Sequence, residues 1–520
     1  MASDGTVARG PRPVARVTAV AARREPTAVA ALAQRLRAAG DVLLVESPAV
    51  DPDPARDAAQ LLSALVGCAR DSATAGPTWL LLTAVTGAYP TADDVVGLRR
   101  ALELTHDATD AELMVMDHMA ATVSADGLPP VQIEILEGGV VVDVDFSAQN
   151  DKQTGIQRVT RRVCALWDAD HSTTLLAWSA DHNGHRRLTR RETLRVLRHG
   201  MPVEPDDHLM PEPTSLLCVP WRCTVVLTEV PPEPAAAVLA ALAEFSGSDV
   251  VAIGYDAIPV TSAELRPVVD AGVFVKYLTV LKHARRIAGI SASSASEFRG
   301  FSEALAAQGL PGPSVVEVML ATQIAPGTGS APVSGLPRVL CIGSHELHKN
   351  HLAVLHCAEM LWRSGLEFEL HFVGGDGWDM SDFRSRTDAL RSQGRPLVDH
   401  GRLPDDDMWR LCRDASFTVF PSLHEGFGLP VSESLACGTP VITTDYGSTR
   451  EIAAAGGCVL VDPRDDAALE AQMRRLLTNP EDLARLRAEA RAYEPKTWSA
   501  YASELWEALV TTTVGAADEA

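Results

Sequence analysis

Phe420-Pro-Ser-Leu-His-Glu-Gly-Phe-Gly-Leu-Pro-Val-Ser-Glu433 is the stretch from which the rest of the 520-residue chain can be read. An apolar strand ends at Phe420 and Pro421, a loop with two glycines follows, and Pro430 stands where the first residue of a helix belongs. Gly426 and Gly428 allow backbone amides to approach a ligand closely. The helix start at Leu429 aims unpaired N–H groups at the same place, which makes a cradle for anions and hydroxyls. Glu425 lies in the loop and Glu433 about one turn into the helix, so two carboxylates face one ligand from different heights.

Outward from this loop, apolar strands alternate with amphipathic helices. Strands are expected over residues 338–343, 367–374, 417–421, 441–444 and 459–461, and helices over 350–363, 406–415, 430–437 and 466–477. Residues 325–337 are mostly Gly, Pro, Ser and Thr, the composition of a linker. Before the linker the same rhythm runs through strands at 139–145, 175–178, 225–230, 250–255, 287–291 and 314–318. Helices are expected there at 156–167, 235–245, 274–286 and 293–307. Such alternation implies parallel strands with right-handed crossovers. The expected fold is therefore α/β, with two doubly wound, Rossmann-like domains (139–324 and 338–495) facing a cleft. Residues 496–520 supply an amphipathic helix at 498–510, long enough to cross that cleft, and a tail.

The first 130 residues read differently. Residues 1–14 are Gly-, Pro- and Arg-rich and expected to be disordered. From 15 to 130 a small extra α/β module is expected, with strands at 15–21, 41–46 and 78–86 and helices at 27–39, 55–69 and 91–104. No catalytic constellation falls within it. Over the whole chain, hydrophobic residues make up 46% and charged residues 22%, a balance that supports large cores and excludes general disorder. A net charge of -22 argues against nucleic acid and anionic membrane as main partners. No apolar run approaches the roughly 20 residues that a membrane span needs. Nine cysteines without paired metal spacing point to buried thiols in a reducing compartment. The N-terminal arginines are not followed by the apolar core of a signal peptide, and a cytoplasmic protein is expected.

Glu425 and Glu433, enclosing Gly-Phe-Gly-Leu-Pro, resemble the signature of retaining GT-B glycosyltransferases, specifically glycosyltransferase family 4 (glycosyl transferases group 1) of the bacterial polysaccharide type. Gly343-Ser-His-Glu-Leu-His-Lys-Asn350 is similar to the family's donor-diphosphate segment. The resemblance covers 338–510 in detail, 139–320 loosely, and the first 130 residues not at all. It implies that Lys349 neutralises the departing diphosphate, with Gly343, Ser344, Glu346 and His348 around it. It implies that Gly426 and the amides of Phe427, Gly428 and Leu429 hold the donor sugar and phosphates, that Glu433 takes the ribose hydroxyls, and that Glu425 favours the oxocarbenium-like transition state. Gly401, Arg402 and Leu403 match the loop that meets the base. Thr154-Gly-Ile-Gln-Arg-Val159 resembles the first domain's glycine loop, placing Thr154, Gly155, Gln157 and Arg158 by a phosphate or the acceptor. Tyr255 and Asp256 fall where many relatives carry a His-Asp pair beside the acceptor, and Ser291 and Ser294 match serines of the next turn.

The resemblance implies a nucleoside-diphosphate sugar as co-substrate, with no other cofactor and no metal. The acceptor would be a hydroxyl of a glycan, a lipid-linked molecule or a small molecule, and residues 15–130 would offer a surface for a peripheral or protein partner. Ser344 and His348 occupy slots in which many relatives place arginine; a protonated His348, or Arg158 reaching in, would restore the charge. Three alternatives stay open. The chain could be a weak or inactive sugar-nucleotide-binding scaffold in a glycan-assembly complex, or a GT-B-shaped phosphorylase or epimerase. Asp143-Val-Asp145 also looks like the metal motif of the other major glycosyltransferase class. Gly374-Gly-Asp-Gly377 is too short of a dinucleotide fingerprint to support NAD binding.

Overall fold

The computed structural model describes residues 27–122, 131–201, 216–323 and 335–512. Two sheets organise it. The first contains β1 (Gln132–Glu137), β2 (Val140–Asp143), β3 (Thr173–Trp178), β4 (His185–Arg187), β5 (Leu216–Trp221), β6 (Thr224–Leu227), β7 (Asp249–Gly254), β8 (Arg286–Gly289) and β9 (Ser314–Glu317). Their order is β1-β5-β4-β3-β2-β6-β7-β8-β9, and every pair is parallel except the two made by β4. The second sheet is wholly parallel: β10 (Arg338–Ile342), β11 (Glu369–Val373), β12 (Leu397–Asp399), β13 (Phe417–Phe420), β14 (Val441–Thr444) and β15 (Cys458–Val461), in the order β12-β11-β10-β13-β14-β15.

The strand order reverses between β10 and β13 in the second sheet and between β2 and β6 in the first. Loops leaving adjacent strands at such a reversal part in opposite directions and open a crevice at their carboxyl ends. The loops after β10 and β13 carry Lys349 and Glu425, and the loop after β2 leads to Gly155. This pair of doubly wound sheets therefore sets the candidate site at the switch points of both.

A helix at the end of the chain (Trp498–Trp506, continued by a π-turn over Glu507–Thr511) returns to the first domain. Trp167 Nε1 donates to the Ala502 carbonyl at 2.9 Å and Arg286 to that of Ala508 at 2.8 Å. One buried apolar cluster runs from Val142, Val159 and Val163 through Tyr501 and Leu505 to Phe427 and Val431, so both domains share it.

Within residues 27–122 the expectation of an α/β module is corrected. Five helices occupy it, α1 (Ala28–Leu43), α2 (Pro54–Asp71), α3 (Gly76–Thr86), α4 (Ala92–Leu104) and α5 (Ala108–Thr122), with no strand among the described residues. The expected strand at 15–21 lies outside the described residues. The one at 78–86 is the helix α3, apolar all round because it is buried on every side. A continuous apolar run fits either element, and the deciding marks are Pro77 in the first turn and Gly87 in the left-handed cap, φ 72°. The strand expected at 41–46 gives way to α1, which runs through Gly40. Gly40 lies inside the helix against α2, where a Cβ would stand in ordinary contact, 3.4 Å from Leu61.

The module packs onto the first domain rather than standing apart. Trp79 stacks on Trp221 with ring centroids 6.2 Å apart, and Tyr89 meets Trp178 edge-on at 6.2 Å. Buried Arg35 donates to the carbonyls of Ala84 (2.6 Å), Val85 (3.1 Å) and Val131 (2.8 Å). Sequence reading also omits the edge strands β1 and β12, the three-residue β4 and the interior strand β5, and begins the helix Val268–Leu281 six residues late.

Candidate functional site

The loop after β13 is pinned from below by side chains of the second domain. Thr444 donates to the Ser422 carbonyl (2.6 Å), Tyr446 to that of Leu423 (2.8 Å) and Ser448 to that of Glu425 (2.9 Å). From the first domain Ser291 donates to the Gly426 carbonyl at 2.6 Å. A Cβ on Gly426 would come within 2.3 Å of the Tyr255 carbonyl, so glycine is the residue that lets the domains close here. Gly428 adopts φ 100° and opens the helix Leu429–Ala436. Among the described residues the amides of Phe427, Gly428 and Leu429 have no acceptor in the protein.

Lys349 approaches this loop from the turn after β10. Its Nζ lies 5.4 Å from the Phe420 ring centroid and donates to Glu425 Oε1 at 2.6 Å. Gly343 takes φ 145° at the start of the turn, and Gly374 lies so close that a Cβ there would stand 1.8 Å from the Gly343 carbonyl. The glycines at 374–377 thus serve close packing of two loops. Ser344 donates to Glu346 at 3.0 Å, and Glu346 also accepts from Arg266 of the first domain at 2.5 Å.

His348 does not restore the missing positive charge. Burial, with Lys349 and Arg266 close by, drives its pKa down to about 2 and leaves it neutral. Arg158 crosses from the first domain and ion-pairs with Glu433. Burial raises the Glu433 carboxyl above its usual range, and the arginine acts against that rise.

The remaining expected residues divide in two. Gly155 begins its helix opposite Leu429, whose Cδ1 would lie 3.6 Å from a Cβ on it. Asp256, half-buried, faces the Gly426 backbone; burial pushes its carboxyl up to about 6, although it accepts from Ile258 N at 3.1 Å. Gly401 (φ 60°) donates to Asp399 at 3.0 Å, Leu403 is half-buried, and Arg402 is exposed against Gly375 with no ion pair among the described residues. By contrast, Thr154 and Gln157 cap each other at a helix start, and buried Ser294 donates to the Gly254 carbonyl at 2.6 Å. The Tyr255 hydroxyl points into the core and donates to Thr228 O at 2.8 Å. These four side chains are spent inside the protein.

Asp143 and Asp145 are spent as well. Asp143 accepts from Trp178 Nε1 at 2.9 Å, and Asp145 from Trp178 N (2.8 Å) and Gln149 (2.6 Å). Among the described residues no cluster of three His, Cys, Asp or Glu side chains is placed to hold a metal ion.

Several cross-cleft partners have no mark in the sequence. His424 bridges to Glu297 at 2.6 Å and Ser262 at 2.8 Å. Burial opposes its charge, but Glu297, Asp256 and Glu425 together hold its pKa above the ordinary value. Glu451 accepts from the amides of Ala292 (2.9 Å) and Ser293 (2.7 Å) at a helix start of the first domain. A cleft of about 200 Å³ remains, lined by Ser262, Ser293, His424, Glu425, Tyr446 and Arg464.

The fold is that of GT-B glycosyltransferases, and comparison with known proteins places its second half more narrowly. Residues 330–493 match the family Glycosyl transferases group 1. O-antigen chain mannosyltransferase B of Escherichia coli is 31% identical over 182 residues, 34% of this chain and 44% of that protein. MMP alpha-(1->4)-mannosyltransferase of Mycolicibacterium hassiacum is 37% identical over 106 residues, 20% of this chain and 26% of that protein. The chain thus spans less than half the length of these curated relatives. Among solved structures, HepE of Anabaena with UDP and glucose superposes with a TM-score of 0.51 at 14% identity, covering 72% of this chain and 99% of that one. Sucrose-phosphate synthase of Thermosynechococcus elongatus gives 0.50 at 16% identity, covering 74% and 100%. Among the described residues no helix is long and apolar enough to cross a membrane.

Proposed function

We propose that the protein is a retaining glycosyltransferase that moves a hexosyl unit, with mannosyl the first to test, from a nucleoside-diphosphate sugar to an acceptor hydroxyl without needing a metal. The observation that carries this reading is the meeting of three partnerless amides (Phe427, Gly428, Leu429) with the Lys349–Glu425 pair at the sheets' switch points. Partnerless amides at a helix start bind phosphate and sugar oxygens, and a lysine beside them stabilises a leaving diphosphate. The mannosyltransferases among the relatives support the choice of sugar.

In this reading the bond from the anomeric carbon to the diphosphate oxygen breaks toward Lys349. The acceptor oxygen bonds to that carbon from the same face, and its proton passes to the departing phosphate oxygen. Glu425 stabilises the positive charge that develops on the sugar. The acceptor would be a hydroxyl of a glycan, a lipid-linked molecule or a small molecule, admitted on the first-domain side near Asp256.

The test is turnover of GDP-mannose and UDP-hexoses followed by proton NMR of the anomeric signal. An axial donor giving an axial product, unaffected by EDTA, is expected. An inverted anomer would refute retention, activity lost in EDTA and restored by manganese would refute metal independence, and full turnover in Lys349→Ala and Glu425→Ala would refute the site.

A further inference from the structure

Resting on the donor-site reading above, we infer that Arg158, from the first domain, is a second cation for the donor diphosphate, which it reaches by leaving its ion pair with Glu433. Charge around the cleft argues for it. Lys349 is neutralised by Glu425 and Arg158 by Glu433, while burial keeps His348 uncharged. A nucleoside diphosphate brings several negative charges into this space. Glu425 and Glu433 would repel it unless both cations turned toward it.

The surroundings of Arg158 favour an anion. Its helix (Gly155–Asp170) and the helix Leu429–Ala436 begin beside each other, with Leu429 Cδ1 3.6 Å from the position of a Cβ on Gly155. Two helix N-termini put positive ends together, an arrangement that an anion between them relieves. Arg158 stands in the first turn of one helix and Glu433 one turn into the other.

Among the described residues two arginines cross the cleft, and Arg158 is the less constrained of them. Arg266 donates to Glu346 but is also held by Asp270 in the first turn of the helix that follows it, at 2.8 and 3.1 Å. Among the described residues the Glu433 carboxylate is the sole partner of the Arg158 guanidinium, and that guanidinium the sole hydrogen-bond donor to the carboxylate. When ribose hydroxyls donate to Glu433, that carboxylate keeps an acceptor role while the guanidinium is released toward the phosphates.

The test is calorimetric titration of the full chain with GDP, UDP, dTDP, ADP and CDP and with the matching nucleosides. For the base that binds, Arg158→Ala is expected to weaken the diphosphate roughly 10- to 100-fold while leaving the nucleoside unchanged or tighter. Glu433→Gln should weaken the nucleoside. Arg158→Lys, which keeps the charge and the helix, should give an intermediate loss, and melting scans of each variant report folding. Unchanged diphosphate affinity in both Arg158 variants, or equal weakening of diphosphate and nucleoside, would overturn the inference. Lys349→Ala separates the two readings: it loses diphosphate affinity if the donor site is correct, whatever Arg158 does. Absence of binding by any diphosphate in the unaltered protein would overturn both.

Discussion

Lys349 and Glu425 meet at 2.6 Å in a largely buried pair, and such a pair is stronger as a functional device than as a source of stability. Glu425→Gln keeps an acceptor for Lys349 but removes the charge opposite the developing cation. Turnover should fall by about 100-fold or more, with the melting temperature within a few degrees of the parent. Gly426→Ala should act mechanically: its Cβ would press on the Tyr255 carbonyl from 2.3 Å, costing roughly 1–3 kcal/mol in the closed state. Lower melting temperature together with lost activity is expected, and a fully active, equally stable variant would refute the close approach. His348 predicts an acid response. Its pKa is lowered on folding to about 2, so between there and the unfolded value the unfolded chain holds the extra proton. Stability then falls as pH drops below about 6.5, by up to about 1.4 kcal/mol per pH unit. Replacing it as His348→Asn should flatten the acid side of a melting-temperature profile. Glu425, Glu433 and Lys349 were legible in the sequence because they sit in short motifs with fixed spacing. Arg266 and Glu297 were not, because their roles arise only when the two domains dock.

At the scale of the element, the helical module over residues 27–122 shows both the reach and the limit of sequence patterns. The helices expected at 27–39, 55–69 and 91–104 are present as α1, α2 and α4, and the side chains of Thr27, Asp53 and Thr91 cap their starts. In contrast, α3 has no amphipathic pattern, because Trp79, Leu80, Leu81 and Leu82 are all fully buried. Its neighbours on all sides decided the outcome, and the module now reads as part of the first domain's core. Trp79→Ala should therefore destabilise the first domain by roughly 3–5 kcal/mol, not merely loosen an appendage. Deletion of residues 27–122 would uncover Trp221 and Trp178 and should yield aggregated protein. A soluble, cooperatively melting deletion product would show that the module is detachable after all.

For the whole molecule, the two sheets were expected from strand–helix alternation, and their switch points follow from the strand orders. Six of nine strands in the first sheet and five of six in the second were read from the sequence. The contacts that close the cleft belong to neither domain alone: Arg158–Glu433, Arg266–Glu346, His424–Glu297 and the Glu451 cap. They join the two domains across the cleft with charges that a nucleotide sugar could use instead. The central claim is that a nucleoside diphosphate binds between the domains at Lys349. A thermal-shift panel with GDP, UDP, dTDP, ADP and CDP, with and without magnesium, tests it most directly. A ligand at a hundred times its dissociation constant adds roughly 2.7 kcal/mol to the native state, enough to move the melting point by several degrees. The account predicts a shift with one base, independent of magnesium and lost in Lys349→Ala. No shift with any base, or an equal shift in Lys349→Ala, would contradict it.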